Sequence, residues 1–485
     1  MQEIRWILIL EIVYTIAIVL TCLRIIYDTR STTKTLAYLL LTVFLPVLGI
    51  IIYFSVGTNY RKRKLYSKKI IKDEQMQLRV REQIYLESKK IWDSVPDEIL
   101  KYQKLAQLLL NDGMSFLTGN NKVELLLNGE QKFPEVLRAM QQARSHIHIE
   151  YYIFEDDEIG NAIKDVLMEK ARAGVKVRLI YDDFGSRSIR KKVIPELIAA
   201  GVEAHPFYRV HFIALANRLN YRNHRKIIVI DGCIGFTGGI NVSDRYINRG
   251  DDKQIFWRDT HVKITGTGAF YLQYLFICDW NFCADQPLAP QTHFFHELKD
   301  YAGDAVVQIA ASGPDSDNPT ILFSLIQAIG MAEEEILITT PYFIPGESLL
   351  DALVVAALSG VKVVLLMPDR SDSRMVAAAG RSYYSELLSA GVEIYQYEKG
   401  FIHSKTMVSD QQLSVIGTAN MDNRSFELNF EVNAVIYDNA TAEEMTRIFY
   451  QDLKESKKID AADWEKRPLY KQLPEKLARL LSPLL

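Results

Sequence analysis

The sequence predicts an α/β protein built from two similar halves with pseudo-twofold symmetry, preceded by two N-terminal transmembrane helices. Three observations predict this fold class. A stretch at 223–241 has a near-copy at 402–420, offset by 179 residues throughout. Gly-Val pairs that follow helix-like stretches and open apolar runs recur in both halves, as at 174–175 and 360–361. Two long apolar segments occupy the first sixty residues.

The Gly-Val pairs are typical of alternating helices and strands. We therefore expect two α/β layers, each a mainly parallel sheet with helices on its faces. A repeat this large indicates a duplicated domain rather than a solenoid. The expected divisions are a membrane anchor at 1–59, a basic juxtamembrane and helical linker at 60–118, a first half at 119–300 and a second half at 301–485. The motifs of the two halves lie within 218–245 and 397–424.

Each copy of the duplicated stretch carries the same polar side chains at the same spacing. A His, a Lys two positions later and an Asp five positions after the Lys occur twice: His224, Lys226 and Asp231, then His403, Lys405 and Asp410. A pair of small residues and an Asn follow at matching offsets: Gly238-Gly239 with Asn241, and Gly417-Thr418 with Asn420. One such motif is weak, but a second copy with the same companions makes chance a poor explanation.

The pattern also predicts local structure and chemistry. The β-branched run Ile227–Ile230 before Asp231-Gly232 is typical of a buried strand closed by a turn. Because side chains alternate along a strand, His224 and Lys226 fall on one face. An imidazole can attack or donate a proton, while ammonium and amide groups hold anionic oxygens. Such a set suits phosphoryl transfer, in which positioning and charge stabilisation do most of the work.

These residues resemble the HKD motifs of the phospholipase D superfamily. The strings NMDNRSFELNFEVN, from Asn420, and EYYIF, from Glu150, are similar to bacterial cardiolipin synthases. The resemblance covers nearly the whole chain and implies two phospholipase D-like halves that share one site. It also implies the reaction, in which two phosphatidylglycerols form cardiolipin and release glycerol.

The resemblance further implies roles for individual residues. His224 would be the nucleophile that forms a covalent phosphatidyl-histidine and His403 the acid/base, although the near-equivalence of the halves leaves the reverse open. The phosphate oxygens would be held by the lysines together with Asn241, Asn420, Gly239 and Thr418. We group Asp231 and Asp410 with the catalytic set, while a structural role at the strand ends stays open. No metal or other cofactor is expected.

Two carboxylates are expected to orient the histidines. A histidine that acts as base or nucleophile needs an acceptor on its far ring nitrogen. The family pattern crosses the halves, so that Glu431 would hold His224 and Asp259 would hold His403. A surface or structural role for each acid is the alternative.

Several functions are compatible with these residues. The first is a membrane-bound cardiolipin synthase acting on phosphatidylglycerol. The second is a phospholipase D-type hydrolase or another phosphatidyltransferase, since acceptor choice depends on pocket shape. The third, a non-catalytic membrane scaffold, is disfavoured by the intact His and Lys of both motifs. The sequence does not predict the oligomeric state.

The N-terminal segments predict a multi-pass protein of the bacterial inner or plasma membrane. The apolar runs 7–23 and 36–56 are each about long enough for a transmembrane helix, with expected bounds of about 6–27 and 36–57. No small-residue cleavage site follows the first run, which argues against a signal peptide. The Lys/Arg cluster between 61 and 72 places the catalytic body in the cytoplasm and favours anionic lipid.

Charge distribution excludes one further class of partner. Residues 1–72 carry a net charge of +8, so residues 73–485 carry −11 of the chain's total of −3. Nucleic-acid binding depends on neutralising phosphates, so a body this acidic is a poor nucleic-acid binder. The four cysteines contain no CxxC pair and are expected to be reduced thiols.

The halves differ by an insertion. The first half has extra residues at 208–222, which we expect to be either an amphipathic element at the bilayer surface or an ordinary packed loop. Histidines outside the repeated motifs are assigned no chemistry.

Overall fold

The computed structural model describes residues 2–29, 32–54, 88–93, 97–207, 221–250, 255–284, 286–289, 292–295 and 302–482. The chain divides into two compact units, of which the smaller contains 1–67 and 210–221 and the larger contains 68–209 and 222–483. Three predicted features lie wholly or partly outside the described residues: the basic cluster at 61–72, residues 60–87 of the linker predicted at 60–118, and residues 208–220 of the insertion at 208–222.

The smaller unit contains three N-terminal helices: α1 (Gln2–Asp28), α2 (Thr32–Phe44) and α3 (Pro46–Ile52). Within the described residues, one helix is long and apolar enough to cross a membrane, namely Trp6–Asp28 in α1. The second predicted span is not a continuous helix. It breaks at Leu45 (φ −133°), because the ring of Pro46 disfavours helical backbone at the preceding residue.

Gly49 allows the broken segment to fold tightly. A Cβ at this position would lie 2.5 Å from the Cα of Thr42 on α2, so only glycine permits this approach of α3 to α2. Ile25, Tyr38 and Tyr53 form a small buried cluster in the same unit.

The larger unit alternates helices and strands along most of its length. Its helices are α4 (Asp97–Leu100), α5 (Gln103–Gly113), α6 (Asn128–Gln142), α7 (Glu158–Arg172), α8 (Val193–Ala199), α9 (Ala269–Cys283), α10 (Thr320–Gly330), α11 (Gly346–Leu358), α12 (Arg374–Arg381), α13 (Tyr384–Ser389), α14 (Asn423–Glu427), α15 (Asn439–Lys454), α16 (Ala461–Glu465) and α17 (Leu469–Arg479). Short 3-10 helices occur at Arg187–Ile189, Asp244–Tyr246 and Thr292–Phe294.

The strands of this unit are short and mostly buried. They are β1 (Thr118–Leu127), β2 (His146–Tyr151), β3 (Lys176–Asp182), β4 (Glu203–Phe207), β5 (Arg222–Asn223), β6 (Lys226–Ile230), β7 (Ile234–Gly238), β8 (Phe256–Arg258), β9 (Thr260–Gly266), β10 (Ala305–Ser312), β11 (Glu335–Thr339), β12 (Phe343–Ile344), β13 (Lys362–Pro368), β14 (Glu393–Tyr397), β15 (Gly400–Ile402), β16 (Thr406–Ser409), β17 (Leu413–Gly417), β18 (Met421–Asp422), β19 (Asn429–Tyr437) and β20 (Ser456–Lys458).

Both halves contribute to one sheet of sixteen strands. Its order is β20-β14-β13-β11-β16-β17-β19-β10-β1-β9-β7-β6-β2-β3-β4, with β5 paired to β19. Read outward from the β1–β10 pair, the strands of one half match those of the other, so the pseudo-twofold relation passes between β1 and β10.

The expectation of a mainly parallel sheet in each half is wrong. Along this strand order, parallel pairing is confined to β2-β3-β4 and β11-β13-β14, and the other central pairs are antiparallel. The short strand β5 also pairs in parallel with β19. The cause is visible at Asp231-Gly232-Cys233, a turn too short to join anything but antiparallel strands.

The halves share part of their hydrophobic core. One buried cluster belongs to the first half and a second is formed mostly by the second half. A third cluster draws on both, including Ile227 and Val262 from the first and Ile416 and Val432 from the second. The motif strands therefore meet across a packed interface, which fixes the two histidines relative to one another.

Candidate active site

The two motif strands begin at the site. Lys226 is the first residue of β6 and Lys405 directly precedes β16, and each lysine donates to the backbone carbonyl of its own motif histidine, at 2.8 Å for His224 and 2.5 Å for His403. Both lysines are buried, while the histidine side chains keep 12% and 10% exposure. The imidazoles are thus more accessible to solvent than the lysines of the same motifs.

Each imidazole is bound by a carboxylate from the other half. Nδ1 of His224 lies 2.9 Å from the Glu431 carboxylate, and Nδ1 of His403 lies 2.8 Å from that of Asp259. A carboxylate at Nδ1 holds the proton there and leaves Nε2 of each ring for chemistry. The structure therefore brings together both crossed pairs expected from the sequence.

Backbone pairing explains why the pairs cross. β5, just before His224, runs parallel to the start of β19, and β15, just before His403, runs parallel to β8. The amide of His224 donates to Phe430 O at 3.0 Å, and that of His403 donates to Arg258 O at 2.7 Å. Each histidine is hydrogen-bonded to the residue that precedes its carboxylate, so register along the strand sets the side-chain pair.

The two orienting carboxylates have different neighbours. A Cβ at Gly239 would lie 2.1 Å from Oδ1 of Asp259, so the carboxylate occupies the space that a side chain would need. In the second half Thr418 stands at the matching position, and its hydroxyl donates to Glu431. Gly239 and Thr418, which the sequence predicts to help hold the phosphate, are in contact with the orienting carboxylates.

The two motif asparagines are both engaged. Nδ2 of Asn241 donates to Tyr246 Oη at 2.7 Å, and its Oδ1 accepts from the amide of Ile153 at 3.3 Å. Nδ2 of Asn420 donates to Asp422 at 3.1 Å. Oδ1 of Asn420 is buried and is one of the side-chain atoms without a hydrogen-bond partner in the described part of the chain.

Asp231 and Asp410 lie at the opposite ends of their strands from the lysines. The carboxylate of Asp231 accepts from the backbone amides of residues 144, 145 and 146 at 2.7–3.0 Å. That of Asp410 accepts from the amides of 333, 334 and 335 and from Lys101 Nζ at 2.8 Å. Five residue steps of extended chain separate each Asp from the lysine of its own motif, a distance of roughly 16 Å. Their placement among the catalytic residues is therefore corrected: these contacts fasten the motif strand to its neighbour.

Burial dominates the electrostatics of the site. It lowers the pKa of Lys226 to about 7 and that of Lys405 to about 8. Burial, followed by the charge of Lys405, lowers the pKa of His403 to about 3. Burial also lowers the pKa of His224, against the opposing effect of Glu431. Each lysine affects the histidine of the other motif, so the four groups share one environment suited to a bound anion.

Sequence reasoning missed two buried ion pairs behind the carboxylates. Arg225 pairs with Asp279 on α9, and its Nε donates to Glu431 O at 3.4 Å. Arg258 pairs with Asp452 on α15 at 2.9 Å and donates to Asp259 O at 2.7 Å. Each arginine therefore supports the backbone of one orienting acid. The Arg residues directly beside His224 and Asp259 were a usable signal, but their aspartate partners lie on distant helices.

Aromatic rings surround the imidazoles. Tyr152 lies edge-on to His224 with ring centroids 5.0 Å apart, and Trp257 lies 5.4 Å from His403. Among the described residues, no group of three or more His, Cys, Asp or Glu side chains is arranged to hold a metal ion. The arrangement offers two oriented imidazoles and two ammonium groups in a partly enclosed, largely apolar setting.

Known proteins with the same organisation are numerous. A family model described as "Cardiolipin synthase, PLD-like domain" matches residues 136–267 and 325–453, and one for a phospholipase D-nuclease N-terminal segment matches 13–57. The cardiolipin synthase of Alkalihalophilus pseudofirmus is 40% identical over 98% of this chain and 94% of its own length. Cardiolipin synthase 2 of Bacillus cereus is 43% identical over 97% and 91%, respectively.

A solved structure shows the same fold at low sequence identity. The crystal structure of phosphatidylserine synthase from Haemophilus influenzae matches with a TM-score of 0.58 and 13% identity, covering 79% of this chain and 100% of that chain. The mixed α/β architecture with two phospholipase D-like repeats is therefore shared with that protein.

Proposed function

Because this chain belongs to the cardiolipin synthase family, phosphatidyltransferases of the phospholipase D superfamily, we propose that it joins two phosphatidylglycerols into cardiolipin and releases glycerol. The observation that carries the proposal is the pair of histidines, each held at Nδ1 by a carboxylate from the opposite half. Two oriented imidazoles supply a nucleophile and a proton carrier for a double displacement.

In the first step Nε2 of His224 attacks phosphorus of one phosphatidylglycerol. The P–N bond forms as the P–O bond to the terminal glycerol breaks, and His403 gives its Nε2 proton to the departing alkoxide. The products are free glycerol and a phosphatidyl group on His224. Glu431 stabilises the positive charge that develops on the imidazole of His224.

In the second step a hydroxyl of another phosphatidylglycerol attacks the same phosphorus. His403, now neutral, takes the hydroxyl proton as the new P–O bond forms and the P–N bond breaks. Cardiolipin leaves, and both histidines return to their starting protonation states. Water in place of the second lipid would give phosphatidic acid, so exclusion of water decides between transfer and hydrolysis.

We assign the non-bridging phosphate oxygens to Lys226 and Lys405. Their buried ammonium groups have lowered pKa values, which a phosphodiester anion raises by supplying the opposite charge. The same anion raises the pKa of His403, so that it holds the proton that the first step needs. Asn241 and Asn420 become further donors when their Nδ2 groups turn from Tyr246 and Asp422.

Purified full-length protein incubated with phosphatidylglycerol tests the reaction. Cardiolipin with an equal amount of glycerol supports the proposal. Phosphatidic acid as the main product would indicate a hydrolase, and no turnover would indicate a scaffold. A His403→Ala variant given labelled lipid should retain label on His224, and label on His403 in the reciprocal variant alone would reverse the two roles.

We further propose that both N-terminal apolar segments lie in a bacterial cell membrane, with the body on the cytoplasmic side. The exposed apolar surface of α1 and the Lys/Arg cluster at 61–72 support this topology. Impermeant thiol reagents on intact cells should label a Ser31→Cys variant but not a Ser67→Cys variant. Labelling of position 67 in intact cells would contradict the cytoplasmic body.

A further inference from the structure

The C-terminal helix α17 turns its apolar side away from the body. Leu469, Leu473, Leu477 and Leu480 are 80%, 59%, 55% and 74% exposed, and Tyr470 is 73% exposed. Spacings of three and four residues place the leucines on one face. A surface helix of a globular protein normally packs such a face on the core. This row of leucines therefore needs another apolar environment.

A polar contact holds the helix in this orientation. On the opposite face, Glu475 is buried and accepts hydrogen bonds from Arg381 and Arg467, both at 2.9 Å. Ala478 is buried on the same side. Rotating the leucines inward would break a buried ion-pair cluster and leave Glu475 without partners. The outward direction of the leucines is thus a built-in property of the helix.

The exposed charges within the helix are all positive. Lys476 is exposed beside the row of leucines, and Lys471 is exposed on the first turn of the helix. The only acid between 466 and 482 is Glu475, which faces the body. An apolar face on a helix whose exposed charges are positive is the pattern of a helix that lies at the surface of an anionic bilayer. Two copies packed face to face would instead bring like charges together.

The helix is also connected to the candidate active site. Directly after α17, the carbonyl of Ser482 accepts a hydrogen bond at 3.2 Å from Nδ2 of Asn423, and the Ser482 hydroxyl bonds to Tyr383 at 3.2 Å. Asn423 follows Asn420 of the second motif by three residues, at the start of α14. A bilayer or other surface to which α17 binds would therefore lie near the second motif.

We propose that α17 is an interfacial helix: its leucines enter the headgroup region of an anionic bilayer while Lys476 contacts lipid phosphates. It holds the second motif close to the lipid surface, independently of the N-terminal helices. The inference rests on the proposed function only in that a membrane lipid is the substrate. Binding of the helix to the bilayer is measurable without any turnover.

Depth-dependent quenching tests the insertion directly. The full-length Leu473→Trp variant is reconstituted in phosphatidylglycerol vesicles with and without brominated acyl chains. Its extra tryptophan fluorescence, obtained by difference from the wild-type chain, should be quenched by bromine. Leu358→Trp is the matched control, because Leu358 is 70% exposed on α11, and its fluorescence should be unaffected. Equal quenching at both positions, or none at 473, overturns the proposal.

Activity gives a second, independent measurement. Leu473→Glu combined with Leu477→Glu changes only exposed side chains, so folding is preserved. Its activity on vesicles should fall about tenfold, whereas activity on detergent-dispersed lipid stays near that of the wild type. Val355→Glu with Leu358→Glu is the control. Equal losses on vesicles and detergent would overturn the interfacial role, while an inactive wild type that still shows quenching at 473 would overturn only the proposed reaction.

Discussion

His224 and Glu431 are 207 residues apart in the sequence, yet Nδ1 of the imidazole lies 2.9 Å from the carboxylate. His403 and Asp259 repeat this relation across the halves at 2.8 Å. Neither half by itself holds an oriented histidine. The pseudo-twofold arrangement is therefore part of the proposed chemistry, because each half supplies the acceptor for the other half's imidazole.

Removing one carboxylate at a time should separate the roles of the histidines. Glu431→Gln and Asp259→Asn each lower the pKa of the contacted imidazole, because a neighbouring negative charge is lost. If His224 must be neutral to attack, Glu431→Gln moves the acid limb of kcat/KM to lower pH. If His403 must begin protonated, Asp259→Asn moves the alkaline limb to lower pH. Each rate should fall by about 10- to 1000-fold.

The pH dependence of kcat/KM for both variants is the measurement. A shift of the alkaline limb in Glu431→Gln and of the acid limb in Asp259→Asn would mean that the histidine roles are exchanged. Unshifted limbs in both variants would exclude these carboxylates from the titration of the histidines.

Binding of an anion should weaken as the lysines lose their protons. The pKa of Lys226 is lowered to about 7 and that of Lys405 to about 8, so both are charged only at and below neutral pH in the empty site. Affinity for glycerophosphoglycerol, whose charge is constant near neutrality, should fall by up to about tenfold per pH unit between these two pKa values and by up to about a hundredfold per unit above the higher one. Calorimetric titration across this range measures the slope. Lys226→Met should flatten it, and an unchanged slope in that variant would remove Lys226 from the anion site.

Gly239 should not tolerate a side chain. The Cβ of Gly239→Ala would lie 2.1 Å from Oδ1 of Asp259 and displace the carboxylate from His403. A misplacement of about 1 Å in a catalytic group costs on the order of 100-fold in rate. The comparison is kcat for this variant against Gly330→Ala, where a Cβ meets nothing within 4 Å. Similar kcat values for both variants would contradict the steric argument.

The Arg258–Asp452 pair should stabilise the joint between the halves. Its side chains are 7% and 14% exposed, and breaking a buried pair typically costs about 3–5 kcal/mol. In Arg258→Met, Asp452 remains buried, and burial raises its pKa. The carboxyl is then neutral in the folded state at low pH, so the loss of stability should grow as pH rises through that pKa.

Thermal unfolding of Arg258→Met at about pH 5 and about pH 8 measures this effect. Adding Asp452→Asn should remove most of the pH dependence, since no buried carboxyl is left to ionise. A deficit that is the same at both pH values would show that the pair acts by packing alone.

Deleting residues 1–59 should leave the larger unit folded, because its hydrophobic clusters lie within that unit. Activity on vesicle lipid should fall more than activity on detergent-dispersed lipid, since the truncated chain loses the apolar helix Trp6–Asp28. Circular dichroism checks the fold, and assays on both forms of lipid check the anchoring. Truncated and full-length proteins with the same activity on both would remove the anchoring role.

Features that depend on neighbouring residues could be predicted from local sequence patterns. The duplicated His-Lys-Asp spacing, the alternation along the motif strand and the long apolar run in α1 each depend on neighbouring residues, so they are legible without a fold. The same is true of the turn at Asp231-Gly232, which should have indicated antiparallel pairing. The crossed carboxylates were anticipated from the family resemblance rather than from any local pattern.

Contacts between distant side chains could not be predicted from local patterns. Several contacts depend on strand register and helix packing between segments far apart in the chain. They are the close approach of Asp259 to Gly239, the backbone hydrogen bonds of Asp231, and the ion pairs of Arg225 and Arg258. The outward direction of the apolar face of α17 also could not be predicted from local patterns, since a helix with an apolar stripe is expected to bury that stripe. Its direction was decided by the buried contacts of Glu475, because their geometry exists only once the chain is folded.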